Sequence, residues 1–301
     1  MVAEKIAIPC PVCGSSDFSV LYEPWSEEAD PVLLYGVAAS FRGSQRLVKC
    51  KQCTLVYENP RYPVDVIVQG YMASHDTGHD SQYASRVGSF LRALKKLRRH
   101  IPPPGSKVLD VGTASGAFVD AATRFGYEAW GLEPSRLRVS QARERGLRVE
   151  QGVIESHPFA PGSFDMVTLW DVIEHMPDPL TSLKHVYPLL KPGGILLLNF
   201  PDIDTWQARL AGKHFWWIVA AHLTQFSPRT ISEISKRAGF QAFHFQPFWQ
   251  AMEFGYLEKL ALTYYDNAVF RLGRKLLPQW LRKKAVPFYA SQTTGLARRV
   301  G

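Results

Sequence analysis

The amino-acid sequence predicts an α/β fold: a mostly parallel sheet with helices on both faces, preceded by a small zinc-ribbon lobe. Three observations carry this reading. Residues 107–126, KVLDVGTASGAFVDAATRFG, read as a buried strand, a turn of small residues and an amphipathic helix. From there to residue 249, short apolar runs alternate with helical stretches, as strands joined by crossover helices do. Upstream, Cys10-Pro-Val-Cys13 and Cys50-Lys-Gln-Cys53 form two similar knuckles separated by 36 residues.

Composition bounds the function classes. The 301 residues are 46% hydrophobic and 21% charged, with no stretch long and apolar enough for a spanning helix and no signal-peptide core at MVAEKIAIPC. The expected location is therefore cytoplasmic. The net charge of +8 is uneven: all eight excess cations (Arg271, Arg274, Lys275, Arg282, Lys283, Lys284, Arg298, Arg299) lie after Asp266, the last acidic residue. The basicity describes a tail and not the whole protein, and the cationic face of the 81–100 helix reads as solvated and not as a nucleic-acid groove, so nucleic acid is a disfavoured partner. Basic residues beside Phe270, Leu277 and Trp280 allow peripheral contact with an anionic membrane. The competing reading packs those apolar side chains on the sheet and turns the charges to water.

Taken in order, residues 1–62 form the ribbon lobe. Two CxxC turns can place four thiolates, Cys10, Cys13, Cys50 and Cys53, tetrahedrally around zinc, and strand-like runs flank both. A redox pair is the alternative, but such a site needs one CxxC in a βαβ unit. Residues 63–103 hold a polar segment with Tyr71, His75, His79 and Tyr83, either a linker or a lid. An amphipathic helix over 81–100 follows, with Val87, Phe90, Leu91, Leu94 and Leu97 on one face.

Residues 104–301 form the main domain. After the strand at Lys107–Val111 come Gly112, Thr113, Ala114, Ser115 and Gly116, where glycine permits close backbone approach to a ligand, and then the helix Ala117–Phe125. Strands are expected at 127–132, 147–151, Phe164–Trp170, 195–200 and 240–249. Helices are expected at 135–145, 179–191 and 229–238, with a turn at 191–194. Glu133 ends the second strand, where a carboxylate can accept hydrogen bonds from ribose hydroxyls. The insertion from Pro201 to Ser227 carries Trp206, Phe215, Trp216, Trp217 and His222, either a satellite core or an acceptor-binding loop. Residues 253–284 read as helical, and a last antiparallel strand is expected at 293–299.

The turn offers Gly112, Ala114 and Ala117 where a dinucleotide fingerprint wants three glycines. It resembles instead the first motif of class I S-adenosylmethionine-dependent methyltransferases, VLDxGxGxG, with Ala114 in place of the middle glycine. Glu174-His175-Met-Pro-Asp178-Pro179 and His222-Leu-Thr-Gln-Phe226-Ser227 carry the same resemblance. It implies a Rossmann-like sheet of seven strands and S-adenosylmethionine held by Asp110, Gly112, Thr113, Ala114, Gly116, Glu133, Ile154, Glu155 and Trp170. A hydroxyl acceptor must lose a proton, so His222 and His175 are the candidate catalytic residues. Glu174-His175 is alternatively a metal pair of the kind related quinone O-methyltransferases use. The expected acceptor is a small molecule or glycan, first a sugar or lipid-linked hydroxyl. Quinone O-methylation, sugar C-methylation and a non-catalytic cofactor-binding scaffold are the alternatives.

Overall fold

The computed structural model describes residues 4–26, 30–35, 42–73, 82–255, 278–282 and 284–300. A small antiparallel sheet holds β1 (Phe18–Tyr22), β2 (Leu47–Cys50), β3 (Val56–Glu58) and β9 (Thr224–Gln225). The large sheet holds β4 (Lys107–Val111), β5 (Glu128–Glu133), β6 (Val149–Gln151), β7 (Phe164–Trp170), β8 (Leu190–Pro201), β10 (Phe240–Glu253) and β11 (Ala285–Arg299). The helices are α1 (Pro31–Leu34), α2 (Val64–Ala73), α3 (Tyr83–Leu97), α4 (Ala117–Phe125), α5 (Arg136–Glu144), α6 (Pro179–Leu189), α7 (Trp206–Ala211), α8 (Pro228–Arg237) and α9 (Gln279–Arg282).

The large sheet runs β10-β11-β8-β7-β4-β5-β6, with β11 antiparallel to both neighbours and the other six strands running in one direction. The expected Rossmann-like sheet of seven strands is therefore present. The chain winds outward from β4 to β6, then returns to β7 on the other side of β4. Such a reversal opens a crevice at the carboxyl ends of β4 and β7, where ligands bind in this architecture.

Period-2 alternation decides which face each strand residue covers. Leu109, Val111, Val167, Leu169, Leu196 and Leu198 join the layer made by α6, α8 and the cysteine knuckles. Val108, Met166, Ile195 and Leu197 join the layer made by α3 and α4, with Val87, Phe90, Leu94, Leu97 and Phe118. Leu109 is fully buried, and its truncation to Ala would cost about 2–5 kcal/mol.

Three boundaries differ from the sequence reading. The 191–194 run, expected as a turn, is an irregularity inside β8: the register with β7 shifts between Phe164 and Met166, and Gly193 takes φ 76°. The last strand is β11, beginning at Ala285 and not at residue 293, because it pairs along all of β10 as a long hairpin. The break expected at residue 62 is crossed by a β-ladder, since β3 pairs with β9 of the 201–227 insertion through Val56–Gln225 and Tyr57–Thr224. Of the lid segment, 64–73 is helix α2, while His75 and His79 lie outside the described residues. Of the helical expectation over 253–284, residues 256–277 lie outside them as well.

The tail cations that end β11 are turned to the domain. Arg299 donates to the Pro188 carbonyl at 3.1 Å and to the Leu190 carbonyl, and its guanidinium lies 4.9 Å from the Tyr187 ring centroid. Arg298 reaches the Gly193 carbonyl at 3.3 Å. Arg299 thus satisfies carbonyls at the C-terminus of α6, where a cation is favoured.

Candidate active site

The turn after β4 is held by backbone. Gly112 and Thr113 donate N–H bonds to the Leu132 carbonyl at 2.8 and 3.2 Å, tying the turn to the end of β5. Gly112, Ala114 and Gly116 all have positive φ (69°, 51° and 87°). A Cβ at Gly112 would meet Val172 Cγ2 at 2.7 Å, and one at Gly116 would meet Leu147 Cδ1 at 2.5 Å. Glycine is thus required at both places by conformation and by packing against protein. The sequence alone points only to the approach of a ligand at these glycines. Ala114 occupies a left-handed conformation that disfavours a side chain, and its N–H donates to Glu133 Oε2 at 2.9 Å.

Glu133 is 0% exposed. Its other oxygen accepts the Ser135 N–H at 3.0 Å. Burial raises its pKa, against the two backbone donors and Arg138. A carboxylate offers about four acceptor positions, so two remain for ribose hydroxyls. Tyr71 of α2 lies within electrostatic reach of this carboxylate: burial raises its pKa, with Glu133 the next cause. Tyr83 is instead tied to α4, donating to Asp120 Oδ2 at 3.2 Å beneath the Arg145 guanidinium.

Asp110 is buried, and burial pushes its pKa up to about 7 against the Thr168 hydroxyl, which donates to Oδ1 at 2.6 Å. Thr113 Oγ1 and Trp170 Nε1 are buried without a partner among the described residues. The Trp170 ring packs against Phe90, Phe118 and Phe248 at centroid distances of 4.9–5.3 Å, so its body belongs to the core. Ile154 is buried in the other layer. Glu155 is exposed and accepts the Ser182 hydroxyl at 2.8 Å.

Across the crevice, the chain leaving β7 carries Asp171 at φ 56°, which accepts from Asn199 Nδ2 at 2.7 Å and Gln292 Nε2 at 2.5 Å. The next turn is the 3₁₀ segment Ile173–His175. Glu174 is 1% exposed, and neither carboxylate oxygen has a partner among the described residues. Burial, with Asp171 next, raises its pKa well above the usual carboxylate range. The His175 Nδ1 lies 2.8 Å from the Ala221 carbonyl. A carbonyl only accepts, so Nδ1 carries a proton and donates it to Ala221.

His222 completes the group. Its ring lies 4.7 Å from that of His175, edge to face, and stacks on Trp217 at 5.8 Å. It is 5% exposed with Nδ1 unpartnered among the described residues. Burial, then the neighbouring His175, holds its pKa well below the usual histidine value, so the ring is neutral. One ligand atom from each of Glu174, His175 and His222 falls within 4.8 Å of the others. The sequence named both histidines and the Glu-His pair. The meeting of His222 with Glu174 across 47 intervening residues, and the Asp171–Asn199–Gln292 network beside them, had no local signal.

The four cysteines converge as the spacing predicts. Cys10 and Cys53 sulfurs lie 3.5 Å apart, Cys13 and Cys50 likewise, and all four sulfurs fall within 4.8 Å of one another. Tetrahedral zinc–thiolate bonds of about 2.3 Å imply sulfur separations of about 3.8 Å, so the set fits such an ion. The Cys10 thiol donating to Cys53 lowers the latter's pKa to about 5, while that of Cys10 rises. The two knuckles repeat one geometry: Gly14 N–H bonds the Cys10 carbonyl at 2.8 Å and Thr54 N–H bonds the Cys50 carbonyl at 3.0 Å. Gly14 and Thr54 take φ 75° and 69°.

Comparison with known proteins follows the geometry. The family described as a methyltransferase domain matches residues 81–244. A ubiquinone biosynthesis O-methyltransferase of Xanthomonas campestris pv. campestris is 39% identical over 121 residues, 36% of this chain and 51% of the relative. One from Pectobacterium carotovorum is 31% identical over 141 residues, 44% of this chain and 56% of the relative. The chain thus spans about half the length of the curated relatives it matches. Among solved structures, an S-adenosylmethionine-dependent methyltransferase from Thermotoga maritima superposes with TM-score 0.50 at 21% identity, covering 73% of this chain and 94% of the other. One from Archaeoglobus fulgidus gives 0.50 at 18%, covering 74% and 100%. These two likenesses speak for the fold alone.

Proposed function

The chain belongs to the methyltransferase-domain family, and from that premise we propose that it methylates a hydroxyl oxygen on a hydroxylated, quinone-type ring, with S-adenosylmethionine as donor. From the sequence alone, a sugar or lipid-linked hydroxyl is the first expectation. The O-methyltransferase names of the relatives support the quinone-type alternative more closely. The observation that carries the proposal is the group of Glu174, His175 and His222 at the end of β7. Buried polar groups without partners are costly, and here both Glu174 oxygens and His222 Nδ1 lack partners among the described residues, where an acceptor would meet the cofactor.

The residues present fit the cofactor. Glu133 keeps acceptor capacity for a ribose, and the turn at 112–116 precedes the N-terminus of α4. Asp110, Gly112, Ala114, Gly116, Ile154, Glu155 and Trp170 complete the proposed set. When bound, S-adenosylmethionine supplies an electrophilic methyl group. The chain aligns the acceptor oxygen, and such positioning is worth about 7–11 kcal/mol of barrier. His222, neutral in its buried site, takes the acceptor proton at Nδ1. His175, anchored through Nδ1 to the Ala221 carbonyl, is held beside His222.

The same three side chains also fit a divalent cation, which would supply Lewis acidity toward the hydroxyl. In the ribbon, Cys10, Cys13, Cys50 and Cys53 would hold one zinc in a closed, structural site.

The test is transfer of labelled methyl from S-adenosylmethionine into a prenylated hydroxyquinol, a set of nucleotide sugars and a glycan fraction. Label recovered as a methoxy group on the quinol is the expected result. Label confined to a sugar hydroxyl would overturn the acceptor class. Abolition of quinol methylation by a chelator, restored by added Mg²⁺ or Zn²⁺, selects the cation reading, while insensitivity selects His222 as base.

A further inference from the structure

His222 stands on a stretch with little order of its own. Between Phe215 and Leu223 the backbone makes isolated short-range bonds: Ile218 N–H to Phe215 at 2.9 Å, Val219 N–H to Trp217 at 3.0 Å and His222 N–H to the Val219 carbonyl at 3.0 Å. Neither helix nor strand fixes it.

What else grips this stretch comes largely from the N-terminal ribbon, some 170 residues away in sequence. Arg42 Nη2 donates to the His214 and Phe215 carbonyls at 2.7 and 2.6 Å, and its Nε to Ile218 at 3.4 Å. Glu58 N–H bonds the Leu223 carbonyl at 2.9 Å, and β3 then pairs with β9. Leu47 and Val56 share a buried cluster with Phe215 and Ile218. On the other side, the Trp216 and Trp217 indoles hold the Ala290 carbonyl.

One contact reaches His222 through a single shared atom. Gln45 is 1% exposed, and its Nε2 donates to the Val219 carbonyl at 3.1 Å. That carbonyl is also the acceptor for the His222 N–H. A carbonyl has two lone pairs, and here one serves the histidine's backbone and the other the ribbon. Gln45 immediately precedes Arg46 and strand β2, whose last residue is Cys50, so the donor stands on the element that closes the cysteine knuckle.

We infer that Gln45 is a positioning residue for the acceptor side: the ribbon lobe, through Gln45 and the Val219 carbonyl, sets the backbone that aims His222. This rests on the proposed role of His222, and the test separates the two. Gln45→Met keeps the shape and removes the donor, while Gln45→Asn keeps an amide on a shorter stem. In the full chain, Gln45→Met should speed hydrogen exchange of the His222 amide at least tenfold and leave the amides of β4 and β7 unchanged. It should lower kcat for quinol methylation about tenfold or more, with the Kd for S-adenosylmethionine within twofold. In a His222→Ala background it should add no further loss of kcat, and Gln45→Asn should recover part of both effects. An unchanged exchange rate at His222 overturns the inference whatever the activity. Full turnover of His222→Ala alone overturns the proposed base, and leaves the exchange measurement to judge the scaffold.

Discussion

The two walls of the crevice are built on opposite terms. On the wall proposed for the cofactor, the Glu133 carboxylate is already paired with backbone, accepting the Ala114 and Ser135 N–H groups. The contacts close within a few tens of residues. On the acceptor wall, Glu174 and His222 keep buried atoms without partners among the described residues, and the backbone beneath His222 depends on residues 42–58. A wall whose carboxylate and turn backbone are already paired is pre-set for one invariant ligand. An unsatisfied one gains its partners when the variable ligand arrives, and so can discriminate between ligands by the polar groups they bring.

The largest effect that would sharpen this contrast lies outside both walls. Cys13→Ser should remove one of four thiolates and release zinc, whose binding free energy in small thiolate sites is about 10–16 kcal/mol. The ribbon shares its sheet with β9, so the damage should reach His222 while cofactor binding persists. Metal analysis should find one zinc per chain in the parent protein and none in the variant. Loss of cofactor binding in step with zinc would dissolve the distinction between the walls.

Next is the ionisation of Asp110, on the cofactor wall. With its pKa raised to about 7, this carboxyl costs nothing while protonated below its ordinary value. Stability is lost as pH rises from about 4 through about 7, by about 1.4 kcal/mol per pH unit at most. Asp110→Asn should flatten the slope of Tm between pH 5 and 7.5. Equal slopes in both proteins would show that Asp110 is ionised without penalty.

Glu133→Ala should weaken S-adenosylmethionine binding by about 1–3 kcal/mol through lost charge-assisted hydrogen bonds, with the turnover of saturated enzyme nearly kept. Calorimetry and saturation kinetics read the two terms separately. The smallest effect is at Ala114, whose side chain sits at φ 51°. Ala114→Gly relieves that strain but loosens the unfolded chain, for a net gain of about 1 kcal/mol or less in thermal unfolding.

The same contrast explains what the sequence made legible. The strand, turn and helix of 107–126, Glu133 and both knuckles are local, and their residue types announce their geometry. Thr54 shows the limit: it repeats the role of Gly14 at positive φ, yet threonine gives no sign of it. The 191–194 run looked like a turn because Pro and Gly signal one, but pairing with β7 on either side absorbed it into β8. His222 was visible as a candidate, while the scaffold beneath it was not, because the ladder from Val56 to Gln225 and the bond from Gln45 to Val219 leave no periodic trace. Arg298 and Arg299, read as part of a basic tail, bond carbonyls at 187–193, a use that charge counting cannot reveal.

The most direct measurement pairs S-adenosylmethionine affinity with single-turnover methyl transfer to the hydroxyquinol in His222→Ala. The account predicts a Kd within about twofold of the parent, together with a transfer rate lower by about 10²–10⁴, the range for loss of a positioned proton acceptor. A variant that transfers at the parental rate, or one whose affinity for the cofactor falls as far as its rate, would contradict the division into a cofactor wall and an acceptor wall.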